Sequence, residues 1–180
     1  TMQFKQAGSK IFLIGIRKNE LGGSEYYRQL NLLGANVPTP NFDLVKAELQ
    51  TVIKAIDSGL ALACHDISDG GLAVTLAEMM AGGRGEGAFG LKVDISKAGE
   101  LRDDTLLFSE TGGFVLEIPA AHAEAFDALC FGKMVKGICL GETTQDGTFT
   151  LTSNGQTLIF LPKDQVIDTW LNGLRNKLKA

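Results

Sequence analysis

Apolar positions along the chain fall into short blocks whose spacing switches between two periods. Residues 10 to 16 (Lys-Ile-Phe-Leu-Ile-Gly-Ile) form a brief run of branched and aromatic side chains closed by polar residues, the pattern of a buried strand. After the polar turn Arg17 to Gly23, Ser24 is placed to N-cap a helix reaching about Leu33. From Asn41 to Ser58 the set Phe42, Val45, Leu49, Val52, Ile53 and Ile56 keeps helical spacing, with Gly59 where a C-cap belongs. This helix is expected to bury its apolar stripe in the core. The run Leu60 to Cys64 is too short for a helix and reads as a central strand leading into His65-Asp66-Ile67-Ser68-Asp69-Gly70-Gly71, after which Leu72, Leu76, Ala77 and Met80 resume helical spacing.

The segment Gly82 to Gly87 is a loop by composition. Beyond it the pattern predicts a strand over Leu91 to Ile95, a short helix over Leu101 to Phe108, a strand over Phe114 to Ile118 and a helix over Ala120 to Phe131. Three more strands follow at Val135 to Leu140, Thr148 to Thr152 and Leu158 to Leu161, with Asp146-Gly147 and Asn154-Gly155 as hairpin turns. A closing helix from Lys163 carries Val166, Ile167, Trp170, Leu171, Leu174 and Leu178 as one stripe, in which Trp170 reads as core. Elements alternate early and strands cluster late. The fold class is therefore α+β, a mixed β-sheet packed with helices rather than a pure doubly wound fold.

Composition narrows the function. The 180 residues, 44% hydrophobic and 21% charged, suit one globular domain, 1–180, with no internal repeat and no linker. A net charge of -4 argues against a nucleic-acid or anionic-membrane surface, although a few local donors suffice for a phosphorylated small molecule. No apolar run approaches a membrane span and no secretory signal opens the chain. Cys64, Cys130 and Cys139, odd in number and without a Cys-x-x-Cys pair, point to a reduced cytoplasmic protein. Thr1 ahead of Met2 reads as the start of a piece cut from a longer chain.

Three segments could carry chemistry. In Asn19-Glu20-Leu21-Gly22-Gly23-Ser24-Glu25-Tyr26 the glycines permit close backbone approach and Ser24 adds a hydroxyl at a helix start, a place able to hold phosphate; alternatively Gly22-Gly23 only turns and Ser24 only caps. In the second, a buried strand ends in His65, Asp66, Ser68, Asp69, Gly70 and Gly71 and a helix begins at once, the position where α/β sheets gather ligands. Asp66 and Asp69 could offer hard oxygens to Mg²⁺; the plainer alternative is that Asp69 or Ser68 caps the helix and His65 is structural. The third, Ser109-Glu110-Thr111-Gly112-Gly113, is either a polar lip over a ligand or an ordinary loop. His122 reads as solvent-facing and Arg84 as part of a flexible connection. No Ser-His-Asp spacing, zinc signature, Walker loop or dinucleotide fingerprint is present.

Taken together, Asn19-Glu-Leu-Gly-Gly-Ser-Glu-Tyr26, His65-Asp-Ile-Ser-Asp-Gly-Gly-Leu72 and Leu107-Phe-Ser-Glu110 resemble the last domain of the large synthetase subunit in the phosphoribosylformylglycinamidine synthase family. That family lies in the aminoimidazole ribonucleotide synthetase superfamily, with thiamine monophosphate kinase, selenide water dikinase and a hydrogenase maturation factor. The resemblance spans nearly the whole chain and implies a role in purine biosynthesis. ATP would activate the formyl-amide oxygen of formylglycinamide ribonucleotide, and ammonia from a glutaminase domain or subunit would displace phosphate, with Mg²⁺ neutralising the transferred phosphoryl group.

The same resemblance places Asp66 and Asp69 toward metal, and Gly22, Gly23, Ser24, His65, Ser68, Gly70, Gly71, Ser109 and Glu110 toward the ligand cleft. It also implies pairing with ATP-handling domains of the same chain, twice over, one half being catalytic and the other holding an auxiliary nucleotide. The ATP-binding lysine and catalytic histidines belong to the other domain type, so this chain is expected to be silent alone. The competing readings are a kinase-type member of the superfamily and a non-catalytic module that binds a nucleotide or partner.

Overall fold

The computed structural model describes residues 1–83 and 88–179. Its centre is a seven-stranded sheet made of β1 (Lys10–Ile14), β2 (Ala63–Asp66), β3 (Gly90–Asp94), β4 (Phe114–Ile118), β5 (Gly137–Thr144), β6 (Thr148–Ser153) and β7 (Gln156–Pro162), in the order β2-β4-β1-β5-β3-β6-β7. Every pairing is antiparallel except β3 with β6. Side chains of a strand alternate between faces, and β1 shows what this does here. Ile11 and Leu13 enter one core with Leu76, Met79, Val93, Leu140 and Leu151, while Phe12 and Ile14 enter another with Val52, Leu116, Phe126 and Cys130. Helices α3 (Gly71–Ala81), α4 (Asp103–Phe108) and α6 (Lys163–Lys179) cover the first face; α2 (Phe42–Asp57) and α5 (Ala123–Gly132) cover the second. The mixed sheet with helices packed on it is the α+β class read from the sequence.

Several expectations are corrected. Helix α1 (Glu25–Gln29) is capped by Ser24, whose Oγ accepts from Tyr27 N, but ends well before Leu33 because Asn31 and Gly34 turn into the left-handed region. Helix α2 has the expected bounds and an Asn41 cap, yet of its stripe only Val52 is buried and Phe42, Leu49, Ile53 and Ile56 face outward. Phe42 is 79% and Ile53 55% exposed, whereas Glu48, Thr51, Val52 and Ala55 are buried. Small or charge-compensated side chains thus lie against the sheet, and the apolar face is left uncovered. In α6 only Val166 and Ile167 are buried; Trp170 is partly exposed and Leu171, Leu174 and Leu178 are exposed. Strand β2 is an edge strand, not a central one, and it begins only at Ala63 and contains His65 and Asp66. A 3₁₀ turn, Ala120–His122, precedes α5.

Asn154-Gly155 makes the predicted hairpin, both residues having positive φ as the tight turn requires. Asp146-Gly147 does not, because β3 lies between β5 and β6. The connection passes over the start of β3, where a Cβ on Gly90 would lie 2.5 Å from Thr144 Oγ1 and from Thr148 N. The predicted Gly82 to Gly87 loop lies, from Arg84 onward, outside the described residues. His122 is exposed as expected, and all three cysteines are free. No described helix is long and apolar enough to cross a membrane.

Candidate functional site

Because β4 runs antiparallel to both β1 and β2, the carboxyl ends of β1 and β2 and the start of β4 emerge at one end of the sheet. The three sequence segments meet there. The carboxylate of Glu110 joins them: Oε1 accepts from Glu25 N at 2.8 Å, in the first turn of α1, and from Gly70 N at 2.9 Å, at the start of α3. A carboxylate placed at helix N-termini meets unpaired N–H groups and the positive ends of their dipoles. Gly70, the N-cap of α3, has no side chain with which to cap it, and among the described residues the side chain that meets this helix start is that of Glu110, not of Ser68 or Asp69. Gly71, at φ 68°, presses on the third segment, where a Cβ would stand 2.7 Å from Leu107 O and 2.8 Å from Ser109 O. Nearby, the Tyr26 ring stacks on Phe108 at 4.7 Å.

The first segment is closed by the chain itself. Gly22 N donates to Asn36 O at 2.7 Å and Gly23 N to Leu33 O at 2.8 Å, while the buried Ser24 hydroxyl donates to Leu21 O. Ser109 is also buried, its hydroxyl 2.8 Å from that of Thr111, which donates to Glu20 Oε2 at 2.8 Å. Beneath them lies Arg17, only 4% exposed, donating to the carbonyls of Ser109 (3.2 Å), Thr111 and Gly112. Burial lowers the Arg17 pKa to about 10, with Glu48 and Glu20 pulling it back upward; burial in turn raises that of Glu48. Sequence reasoning passed over Arg17 as one residue of a polar turn. The available signal was a cation directly after a buried strand with an acid three positions later. A cleft of about 340 Å³ opens beside these residues, lined by Ile16, Lys18, Glu20, Pro40, Val45 and Glu48 among others.

The second segment stays open. Asp66, Ser68 and Asp69 are exposed, and the half-buried His65 lies against Asp66 and Glu78. Among the described residues no three His, Cys, Asp or Glu side chains gather as a metal cluster. One or two carboxylates completed by water and phosphate oxygens are nonetheless what Mg²⁺ ordinarily takes, so the donor set at this strand end suits that ion.

Comparison with known proteins gives the family and the fold. Residues 6–154 match the family model of the AIR synthase related protein, C-terminal domain. The phosphoribosylformylglycinamidine synthase subunit PurL of Methanothrix thermoacetophila is 38% identical over 180 residues, covering 99% of this chain and 23% of the relative. Solved structures of T. maritima PurL share the fold at 13% identity over 92% of this chain: the complex with FGAR has a TM-score of 0.78 and covers 29% of that chain, and the complex with ATP has 0.72 and 26%. The present chain thus spans about a quarter of the length of such a relative. With residues 6–154 matching the family model and a mixed sheet shared with those solved structures, the chain belongs to the family of AIR synthase related protein C-terminal domains.

Proposed function

We propose that the chain is one domain of a longer cytoplasmic synthetase, the C-terminal domain of the ligase that converts formylglycinamide ribonucleotide to formylglycinamidine ribonucleotide in purine biosynthesis. The observation that carries this reading is the meeting of all three motifs on the Glu110 carboxylate at one sheet end. The near-complete coverage of this chain by a PurL relative supports the same conclusion. In this reading Asp66 and Asp69 hold Mg²⁺, and Ser68 and the start of α3 face a phosphate of the nucleotide or ribonucleotide. When bound, Mg²⁺ neutralises charge on the phosphoryl group transferred from ATP. Glu110 and Arg17 brace the turns, while Gly22, Gly23, Ser24 and Ser109, bonded within the chain itself, fix the geometry of the first and third segments beside the cleft.

The partners are the ATP-handling domains of the same polypeptide, a glutaminase domain or subunit that supplies ammonia, and the phosphorylated ribonucleotide. The outward row Phe42, Leu49, Ile53 and Ile56 supports such a neighbour, since contiguous exposed apolar surface marks an interaction face. Assays with ATP, Mg²⁺, formylglycinamide ribonucleotide and ammonia test the proposal. The isolated chain is expected to melt cooperatively but form no product, and the full polypeptide to form it. Product from the isolated chain, or none from the full polypeptide, would overturn the reading.

A further inference from the structure

We propose that Glu78 is a positioning residue for the Asp66 carboxylate, acting through His65; the inference rests on the reading of Asp66 as a cation-facing group. The His65 side chain is 16% exposed and both ring nitrogens face carboxylates, Nε2 at 2.8 Å from Glu78 Oε2 and Nδ1 at 3.1 Å from Asp66 Oδ1. One partner is enough to fix the orientation of a structural histidine. Here the second tie leads to a side chain that is 62% exposed and so available to a ligand.

Adjacent residues within a regular strand point to opposite faces. His65 and Asp66 can touch because Asp66 is the last residue of β2, where the chain leaves the sheet toward α3. Helix α3 holds that exit twice. Its Thr75 hydroxyl donates to the Asp66 carbonyl at 3.2 Å, and its Glu78 fixes the imidazole that holds the Asp66 side chain. Among the described residues Asp66 Oδ2 has no such tie, which leaves it as the oxygen free to meet a cation. Outer groups that orient a ligating side chain typically change metal affinity 10- to 100-fold when removed.

The test uses the full-length synthetase, with Mn²⁺ as the probe cation read by its paramagnetic resonance signal, and Mg²⁺ titrations of turnover beside it. Asp66→Asn identifies the cation site in question. Glu78→Ala is expected to weaken Mn²⁺ at that site roughly 10-fold and to raise the Mg²⁺ half-saturation in parallel, with the ribonucleotide KM nearly unchanged. Glu78→Gln, which keeps an oxygen facing His65 Nε2, should recover most of the affinity. If Glu78→Ala does not fold, Glu78→Met, which retains the bulk without the acceptor, must show the same loss. A lower melting temperature with unchanged Mn²⁺ affinity overturns the proposal and makes the contact a packing tie. Loss in Asp66→Asn without loss in the Glu78 variants overturns this inference alone; unchanged affinity in Asp66→Asn overturns it together with the cation reading of Asp66.

Discussion

Two glycine-bearing turns, Gly22-Gly23 before α1 and Gly70-Gly71 before α3, share the same local grammar and the same acceptor, Glu110, yet end differently. The first is closed: its N–H groups bond to Asn36 and Leu33, and Ser24 caps the helix behind it. The second has a glycine N-cap with no side chain of its own and keeps Asp66, Ser68 and Asp69 at the surface. A pair of small residues before a helix therefore does not itself make a ligand site. Both turns have their backbone N–H groups bonded, the first by residues 33–36 and the second by Glu110 and Ser68 O; what differs is that the second leaves the carboxylates and hydroxyl of Asp66, Ser68 and Asp69 at the surface.

The largest effect is expected from Gly71→Ala. Positive φ and a Cβ driven onto Leu107 O should together remove about 4 kcal/mol of stability, measured by urea unfolding of the chain. Next comes Glu110→Ala, which deprives both turns of a charged acceptor and should cost about 3 kcal/mol. Hydrogen exchange at Glu25 and Gly70 should accelerate together, and acceleration at one alone would break the symmetry between the turns. Gly23→Val is milder. Nothing lies within 4 Å of its Cβ, so only the φ of 74° penalises it, by about 1 to 2 kcal/mol. In the full synthetase its ribonucleotide affinity in calorimetric titration should stay unchanged, as fits a turn closed by the chain itself; a loss of affinity larger than the loss of stability would make the first turn a ligand-facing one like the second. Asp66→Asn should move stability by no more than about 0.5 kcal/mol while weakening Mg²⁺-dependent binding. A melt lowered by about 1 kcal/mol with Mg²⁺ dependence intact would make the second turn as structural as the first.

Elements governed by neighbours in sequence were legible. The bounds of α2, the Ser24 cap, β4 and the Asn154-Gly155 hairpin depend on residues a few positions apart, and the structure has them where the pattern puts them. Partners far along the chain were not. The period of α2 shows that one face differs from the other, but not that Thr51 and Glu48 turn inward, Glu48 toward Arg17, while Phe42 and Ile53 turn out. Leu60 to Cys64 is apolar enough for a central strand and still lies at an edge, where Thr1 O accepts from Cys64 N. In the site, the same limit hid the double role of Glu110, which bonds a residue 85 positions away. The three motifs could be grouped from the sequence; the carboxylate and the buried guanidinium that hold them together could not.

The insertion of β3 between β5 and β6 also governs the order in which the sheet can assemble. Three strands that follow one another along the chain would ordinarily zip up as a meander, each turn lowering the entropy of the next closure. Here β6 and β7 can pair early, but β5 cannot join them until β3 has been captured between, with Leu91 opposite Phe149 on one side and Thr143 on the other. Closure therefore waits on a long-range parallel pairing, the slowest kind of contact to nucleate. The Gly90 crossing makes that step sterically demanding as well, so a side chain at Gly90 should slow capture of β3 on the half of the sheet away from the β2 exit.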